Sequence, residues 1–594
     1  MGAEAIALAR SALELEPDEE AGLRRLLQLL DAGGDRAGAL AAYDGFARRL
    51  RARHEAEPSA ETQRAVAAIR QRRQPHVREA ATEVGAFPAH GTPSHPEVRK
   101  PASRRWWRTP GAVAGMLLGA AMVAFAIRRD PGADESHLTV AVLPTVDLSP
   151  DSASSLAEAA TDELISDLAQ VSALRVINWR TMTRFRDPAE PLDTIARQVG
   201  ANLLVTSTLE RRETGVSFRT QLVAAGDPRA VWARTFSGGA GELSAWLQEV
   251  ARGIAEYAQV RLTGSERAGL TSRRLVNAAG YEAYARGRWW WNKRGEAGLF
   301  KGMEFFVQAL NVEPTYALAY SGQADTYVQL GYGGFLPPEE AFRKAKEAAR
   351  LALELDSTLA EPHAALGFAL MYYDWDWPAA EREFRRALEL SYSYATAHEW
   401  YGLFLAAMGR FPEAEREARI AQQLDPLSVA VTATRGWILH YAGKDREALE
   451  VLRSGVRSDS GNSIAQLYLG RVYQAMGQYD SASAHYLATG PLRTWIPTVA
   501  GQGTVAALEG RRAAARSVVH SFDSLARVGR YVTPYAVALV FAALGERDSA
   551  FARLEQGYRE RTHWLVWLNR DSRWATLRPD PRFADLVRRM GLPK

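Results

Sequence analysis

Glycine and alanine return every 34 residues through the second half of this chain, and that period restricts the possible folds more than any other feature. Gly367, Gly402, Gly436 and Gly470 are separated by 35, 34 and 34 residues, and Gly409, Gly443 and Gly477 by 34 and 34. Ala380, Ala414, Ala448 and Ala482 keep the same 34-residue step. A unit of this size holds two helices and two turns, and it buries its apolar face only by stacking on its neighbours. Gly402 and its equivalents fall where the first helix of a pair crosses the second too closely for a side chain. Ala414 and its equivalents fill the matching point, and Gly409 ends the first helix as a C-cap.

Residues 395–428 carry the full pattern: Tyr401-Gly402, Leu405, Ala414, Ala421 and Pro426, with Phe411-Pro412 starting the second helix. On these residues the chain resembles tetratricopeptide repeat proteins. Gly510/Ala515 and Gly545/Ala550 extend the array, the stretch 308–314 closes a first repeat, and 331–338 reads as an insertion. About eight repeats are expected over 275–594. A tetratricopeptide superhelix lines its concave face with first-helix residues. Counting from the glycine places Tyr372, Trp437, His440, Tyr441, Arg471 and Gln474 in that protein-binding groove. Aromatic and arginine anchors suit a protein or peptide partner, and mutating Arg471 and His440 is then expected to leave stability nearly unchanged. The other reading is that Trp437 and Tyr441 pack on the neighbouring repeat.

Residues 109–127 (TPGAVAGMLLGAAMVAFAI) carry no charge in a chain that is 24% charged. As a helix rising about 1.5 Å per residue, the run is roughly 28 Å long, close to the ~30 Å hydrocarbon core of a bilayer. Trp106 and Trp107 stand at one end, with Arg99, Lys100, Arg104, Arg105 and Arg108 before it and only Arg128 and Arg129 after it. This predicts one transmembrane helix in the inner (cytoplasmic) membrane, N-terminus cytoplasmic and C-terminal domains exported. Gly111, Gly115 and Gly119 form a small-residue ladder that points to a homodimer. The alternative is a buried Ala/Gly-rich core helix. The preceding stretch 74–108 holds Pro75, Pro88, Pro93, Pro96 and Pro101 and reads as a basic linker; residues 68–108 contain nine Arg/Lys against three Glu. A net charge of only +4 gives no global sign of nucleic-acid binding, and zero cysteines leave an exported domain dependent on packing alone.

After the uncharged run, 138–143 alternates as a strand, 157–169 reads as a helix, 174–179 as a strand and 191–199 as a helix. Three strands in a meander follow at 203–210, 216–223 and 231–236, and antiparallel strands with helices on one face are the expected packing. The segments VAVLPTVDLS, TDELISDLAQVSALRVINW and IARQVGANLLVTSTLERRETGVSFRTQLVAAGDPRAVWARTFSG resemble the TolB-like domain of bacterial regulatory proteins, over 137–262. The segments RGRWWWNKR, YYDWDWPAAEREFRRALEL and the tryptophan-rich end resemble the repeat arrays that follow such domains. Residues 1–73, with Gly34-Asp-Arg-Ala-Gly-Ala39, Tyr43 and Glu57-Pro-Ser-Ala-Glu61, resemble the last half of a bacterial transcriptional activator module. That resemblance implies contact with DNA only through a winged-helix domain that this chain does not contain, because Met1 falls inside the module. An internal start and a lost DNA-binding part both remain open.

No phosphate-binding G-x4-G-K-[ST], no dinucleotide fingerprint, no H-E-x-x-H, no G-x-S-x-G and no kinase set occurs in the sequence. His398-Glu399 lacks a second histidine at helical spacing, the glycines at 238–241 lack a lysine, and Trp289-Trp290-Trp291 reads as packing between domains. The expectation is therefore no catalytic residues, no metal and no cofactor, and a protein that is not an enzyme. The fold class expected is multidomain and mainly α, a tetratricopeptide superhelix with one α+β TolB-like domain and one transmembrane helix. Its function is expected to be membrane regulation, with the exported array binding a protein or peptide and signalling to the cytoplasmic regulator-like module. The alternative is a cell-envelope scaffold with no transcriptional output.

Overall fold

The computed structural model describes scattered positions between 23 and 47, residues 58–71, and residues 138–593 apart from 150–154, 187–189, 213–214, 228, 271–276, 294 and 491–492. The chain divides into two units, Met1–Thr109 and Pro110–Lys594. In the first, the helix Ala60–Gln71 turns Val66 and Ile69 into a small core with Leu23, Leu26, Leu27, Leu30 and Phe46. Ser59 Oγ accepts the backbone N–H of Thr62 and caps that helix.

The basic linker 74–108, the uncharged run 109–127 and its Gly111, Gly115, Gly119 ladder lie outside the described residues. Among the described residues no helix is long and apolar enough to cross a membrane. The uncharged helix Pro534–Ala543 has only 10 residues, about 15 Å against the ~30 Å needed. The 18-residue helix Gly295–Val312 carries Glu296, Lys301 and Glu304. The transmembrane helix of the expected fold class is therefore not supported by any described helix. The expected single-pass inner-membrane location, with exported C-terminal domains, loses its support with it.

The second unit begins with a sheet of β1 (Leu138–Val142), β2 (Val146–Asp147), β3 (Leu174–Val176), β4 (Leu203–Arg212), β5 (Gly215–Ala224) and β6 (Ala230–Gly238), in the order β3-β1-β4-β5-β6 with β2 beside β4. The meander β4-β5-β6 is antiparallel, as the turns at 213–215 and 226–228 predict. β1 instead pairs in parallel with both β3 and β4. The expected antiparallel packing fails there because the helices Ser155–Ala169 and Leu192–Val199 are crossovers, which return the chain in the same direction. Helices also cover both faces: Ser155–Ala169 and Leu243–Tyr257 on one, Leu192–Val199 on the other.

Eight helix pairs follow among the described residues, from Ala278–Lys293 with Gly295–Val312 to Pro534–Ala543 with Arg547–Arg559. The expected C-cap glycines adopt left-handed φ values, +76° at Gly409 and Gly443 and +73° at Gly477. Gly470 marks a helix crossing: a Cβ there would lie 2.6 Å from Tyr486 Cε1, and the same ring would meet a Cβ on Gly501 at 2.5 Å from Cζ. Tyr486 is fully buried and clamped from both sides. Gly470→Ala is thus expected to lower stability by about 1–3 kcal/mol. A urea midpoint that does not move would contradict this packing.

The α+β unit and the array share one core, in which strand residues Val140 and Val205 join Tyr281, Phe306 and Tyr316 of the first repeats. Docking uses the turns between repeats. Ser391 Oγ donates to Ala169 O (3.0 Å), Ser393 Oγ donates to Leu174 O (2.9 Å), and Asn178 N–H donates to Leu424 O (2.7 Å). Thr181 Oγ1 donates to the buried Asp425 carboxylate (2.7 Å), and burial pushes that carboxyl above its ordinary range. Arg288, next to the tryptophan run, reaches Asp162 (2.7 Å) and lies 4.8 Å from the centre of the Trp291 ring.

Candidate functional site

First helices of successive repeats project a continuous aromatic wall. Phe368 and Tyr372 meet at 4.3 Å, Phe368 and Trp400 at 4.7 Å, Tyr332 and Tyr372 at 5.4 Å, and Trp437 and Tyr468 at 4.0 Å. This wall faces residues 562–577, which leave the last repeat as short 3-10 turns and cross the inside of the array. Trp567 is fully buried against Tyr441 (4.8 Å, stacked), Trp437 (5.9 Å) and Tyr372 (6.5 Å). Trp564 lies 5.6 Å from Tyr332 and 6.1 Å from Trp437. Arg471, 5% exposed, lies 4.4 Å from the Trp437 ring centre and 5.0 Å from that of Trp564, so its guanidinium rests against both indoles.

The structure thus brings Tyr372, Trp437, Tyr441 and Arg471 together around one segment of the same chain. His440 and Gln474 turn elsewhere. His440 Nδ1 pairs with Asp445 Oδ1 at 2.6 Å. Gln474 donates from Nε2 to Thr504 Oγ1 (3.1 Å) and accepts the Tyr486 hydroxyl at Oε1 (2.7 Å). Sequence reasoning missed Tyr332, Trp400, Tyr468 and the segment itself, whose tryptophan density was the available signal.

The segment and the residues on either side of it are tied to the array at several backbone points. Arg570 Nε donates to Ala407 O (3.2 Å), Arg561 Nη1 to Asp374 O (3.1 Å) and Trp377 Nε1 to Met590 O (3.0 Å). At its centre Arg573 Nη2 meets Asp571 Oδ2 at 2.6 Å, the Tyr535 hydroxyl donates to the same oxygen (2.7 Å), and Trp574 Nε1 donates to Tyr535 (2.9 Å). Burial raises the Asp571 carboxyl, yet Arg573 and Tyr535 outweigh it and hold the group well below the usual carboxylate range. Burial pushes His563 down to about 3, leaving a neutral imidazole, and raises the Tyr372, Tyr441 and Tyr468 phenols well above their ordinary value. Beside His563 and Trp564 a cavity of about 800 Å³ remains open, walled by Phe335, Trp495, Val528 and Tyr531.

No family model matches the chain. A protein of Rhizobium meliloti (strain 1021) provisionally named adenylate cyclase 3 is 23% identical over 238 residues, 39% of this chain and 40% of that protein. The transcriptional regulator HilA of Salmonella typhimurium is 27% identical over 158 residues, 27% of this chain and 28% of HilA. The chain therefore spans less than half the length of either relative. Among solved structures, YrrB, described as a TPR protein with an unusual peptide-binding site, aligns at 21% identity and a TM-score of 0.23 over 34% of this chain and 96% of its own. Eight helix pairs and a 34-residue step make the array a helical repeat of the tetratricopeptide type.

Proposed function

We propose that this chain is the binding part of a regulatory protein, in which the array takes a protein or peptide on its concave face and residues 562–577 occupy that face in cis. One observation carries the reading: Tyr372, Trp437, Tyr441 and Arg471 close on tryptophans delivered by an irregular, peptide-like segment. Aromatic side chains seated in desolvated pockets and flanked by arginine are the usual anchors of peptide recognition. The regulatory half of the reading draws support from the likeness of 158 residues to HilA. It also draws on the resemblance of 137–262 to TolB-like domains and of 1–73 to a transcriptional activator module. In this reading the chain binds and does not catalyse.

The test is complementation. A chain ending at residue 559 and a labelled peptide of residues 560–578 are mixed, and fluorescence anisotropy and thermal unfolding are followed. Saturable binding by the shortened chain, with recovery of its unfolding midpoint and no binding to the full chain, is expected. A shortened chain that neither takes up the peptide nor regains stability overturns the proposal.

A further inference from the structure

A cleft of about 550 Å³ lies where the α+β unit meets the fourth and fifth helix pairs, and it is lined by Arg175, Arg197, Arg419 and Arg435. No acidic side chain stands among its described lining residues. Each arginine comes from a different element. Arg175 is on β3, in register beside Thr139 of β1. Arg197 is in the last turn of the helix Leu192–Val199, Arg419 is on Phe411–Leu424 and Arg435 is on Val429–Tyr441. The docking of the two parts therefore creates the cleft.

Four arginines on one cleft, with no carboxylate among its described lining residues, give it a positive field that attracts an anion. Arg197 and Arg419 reach Asp193 (2.7 Å) and Glu415 (2.5 Å), each one turn back on its own helix, with the arginine side chains 71% and 60% exposed. The Arg197–Asp193 pair is exposed on both sides and yields readily to a stronger anion, while Glu415 is 13% exposed and shared with Lys444. Arg435 Nη1 donates only to the Gln422 amide oxygen (3.0 Å), and its Nε is buried without a hydrogen-bond partner. Neither Arg175 nor Arg435 has a carboxylate within ion-pair reach among the described residues.

We propose that this cleft binds a compact polyanion carrying at least two phosphate groups, a nucleoside polyphosphate or an inorganic polyphosphate, and that the bound anion ties the α+β unit to the array. Guanidinium forks match phosphate oxygens bidentately, and the cleft falls in the ordinary size range of small-molecule sites. Charge density selects phosphate over an acidic peptide. A strand presents only every second side chain to one face, so four carboxylates need about seven residues spanning roughly 20 Å. A cube of 550 Å³ is only about 8 Å on a side.

Calorimetric titration of the full chain with inorganic pyrophosphate and with ATP, at low and at moderate salt, tests this. Saturable single-site binding that weakens with salt is expected, and Arg175→Gln with Arg435→Gln should weaken it at least tenfold. Equal affinity for the two probes assigns recognition to the phosphate chain. A tenfold preference for ATP adds the nucleoside to what is read. Arg197→Gln, on an exposed helix, should weaken binding several-fold with an unchanged circular-dichroism spectrum, and it decides the matter if the double variant does not fold. Absence of saturable binding, or affinity indifferent to these substitutions, overturns the proposal. So does binding of single-stranded RNA that pyrophosphate does not displace.

Discussion

Trp567→Ala is expected to destabilise the array by about 3–5 kcal/mol, the usual cost of emptying a large buried aromatic site. Trp567 is fully buried and touches two repeats at once, through Tyr372 at the end of one first helix and through Trp437 and Tyr441 of another. Helices belonging to two separate repeats cannot both move inward to fill one hole, so the cavity persists. Stability in a repeat array is a sum of unit and neighbour terms, yet residues 562–577 bridge units far apart along the solenoid. The loss should therefore spread. In hydrogen exchange of the full chain, protection should fall together in Leu370–Asp374, Val429–Tyr441 and Ser463–Ala475 while Leu243–Tyr257 keeps its own. A loss below about 1 kcal/mol, or one confined to the last repeat, would show that the segment only rests on the array.

The helix pairs were legible because the reasons for them are local. A left-handed C-cap at Gly409 or a crossing at Gly470 demands glycine at one position whatever the rest of the chain does. The parallel strands were written less openly: Val140, Ala141 and Val142 are all fully buried, the mark of a central parallel strand, although the five-residue run scans as alternating. Counting first-helix positions put Tyr372, Trp437, Tyr441 and Arg471 on one face, but counting cannot tell an open groove from a filled one. The filling segment has no period to read, since short 3-10 turns place tryptophans by tertiary contact alone. The expectation that Arg471 bears little on stability assumed an exposed side chain, whereas its guanidinium is buried against Trp437 and Trp564. The arginine cleft escaped the sequence altogether, its four members being scattered over 260 positions and joined only by docking.

Asp571→Asn should cost about as much by a different route, because it leaves the Arg573 guanidinium buried with its charge uncompensated, typically a loss of ~3–5 kcal/mol. Both side chains are almost wholly enclosed, at 3% and 8% exposure, and the Tyr535 hydroxyl would have to turn from a carboxylate to an amide. Leucine at both positions, by contrast, removes the charges together and should cost less than the single change, as replacing a whole buried pair often does. The pH dependence follows from the depressed carboxyl. Asp571 binds its proton less readily folded than unfolded, so the stability it supplies is complete above the unfolded carboxylate range, near pH 4. It drains away as acid carries the pH down toward the folded value. Below pH 4 the wild-type chain should thus lose stability steeply, while Asp571→Asn, already lacking the ionised group, should show a shallower slope there. Urea midpoints measured between pH 2.5 and 7 would settle it. Parallel curves for the two chains would mean that Asp571 and Arg573 do not hold the segment inside the array.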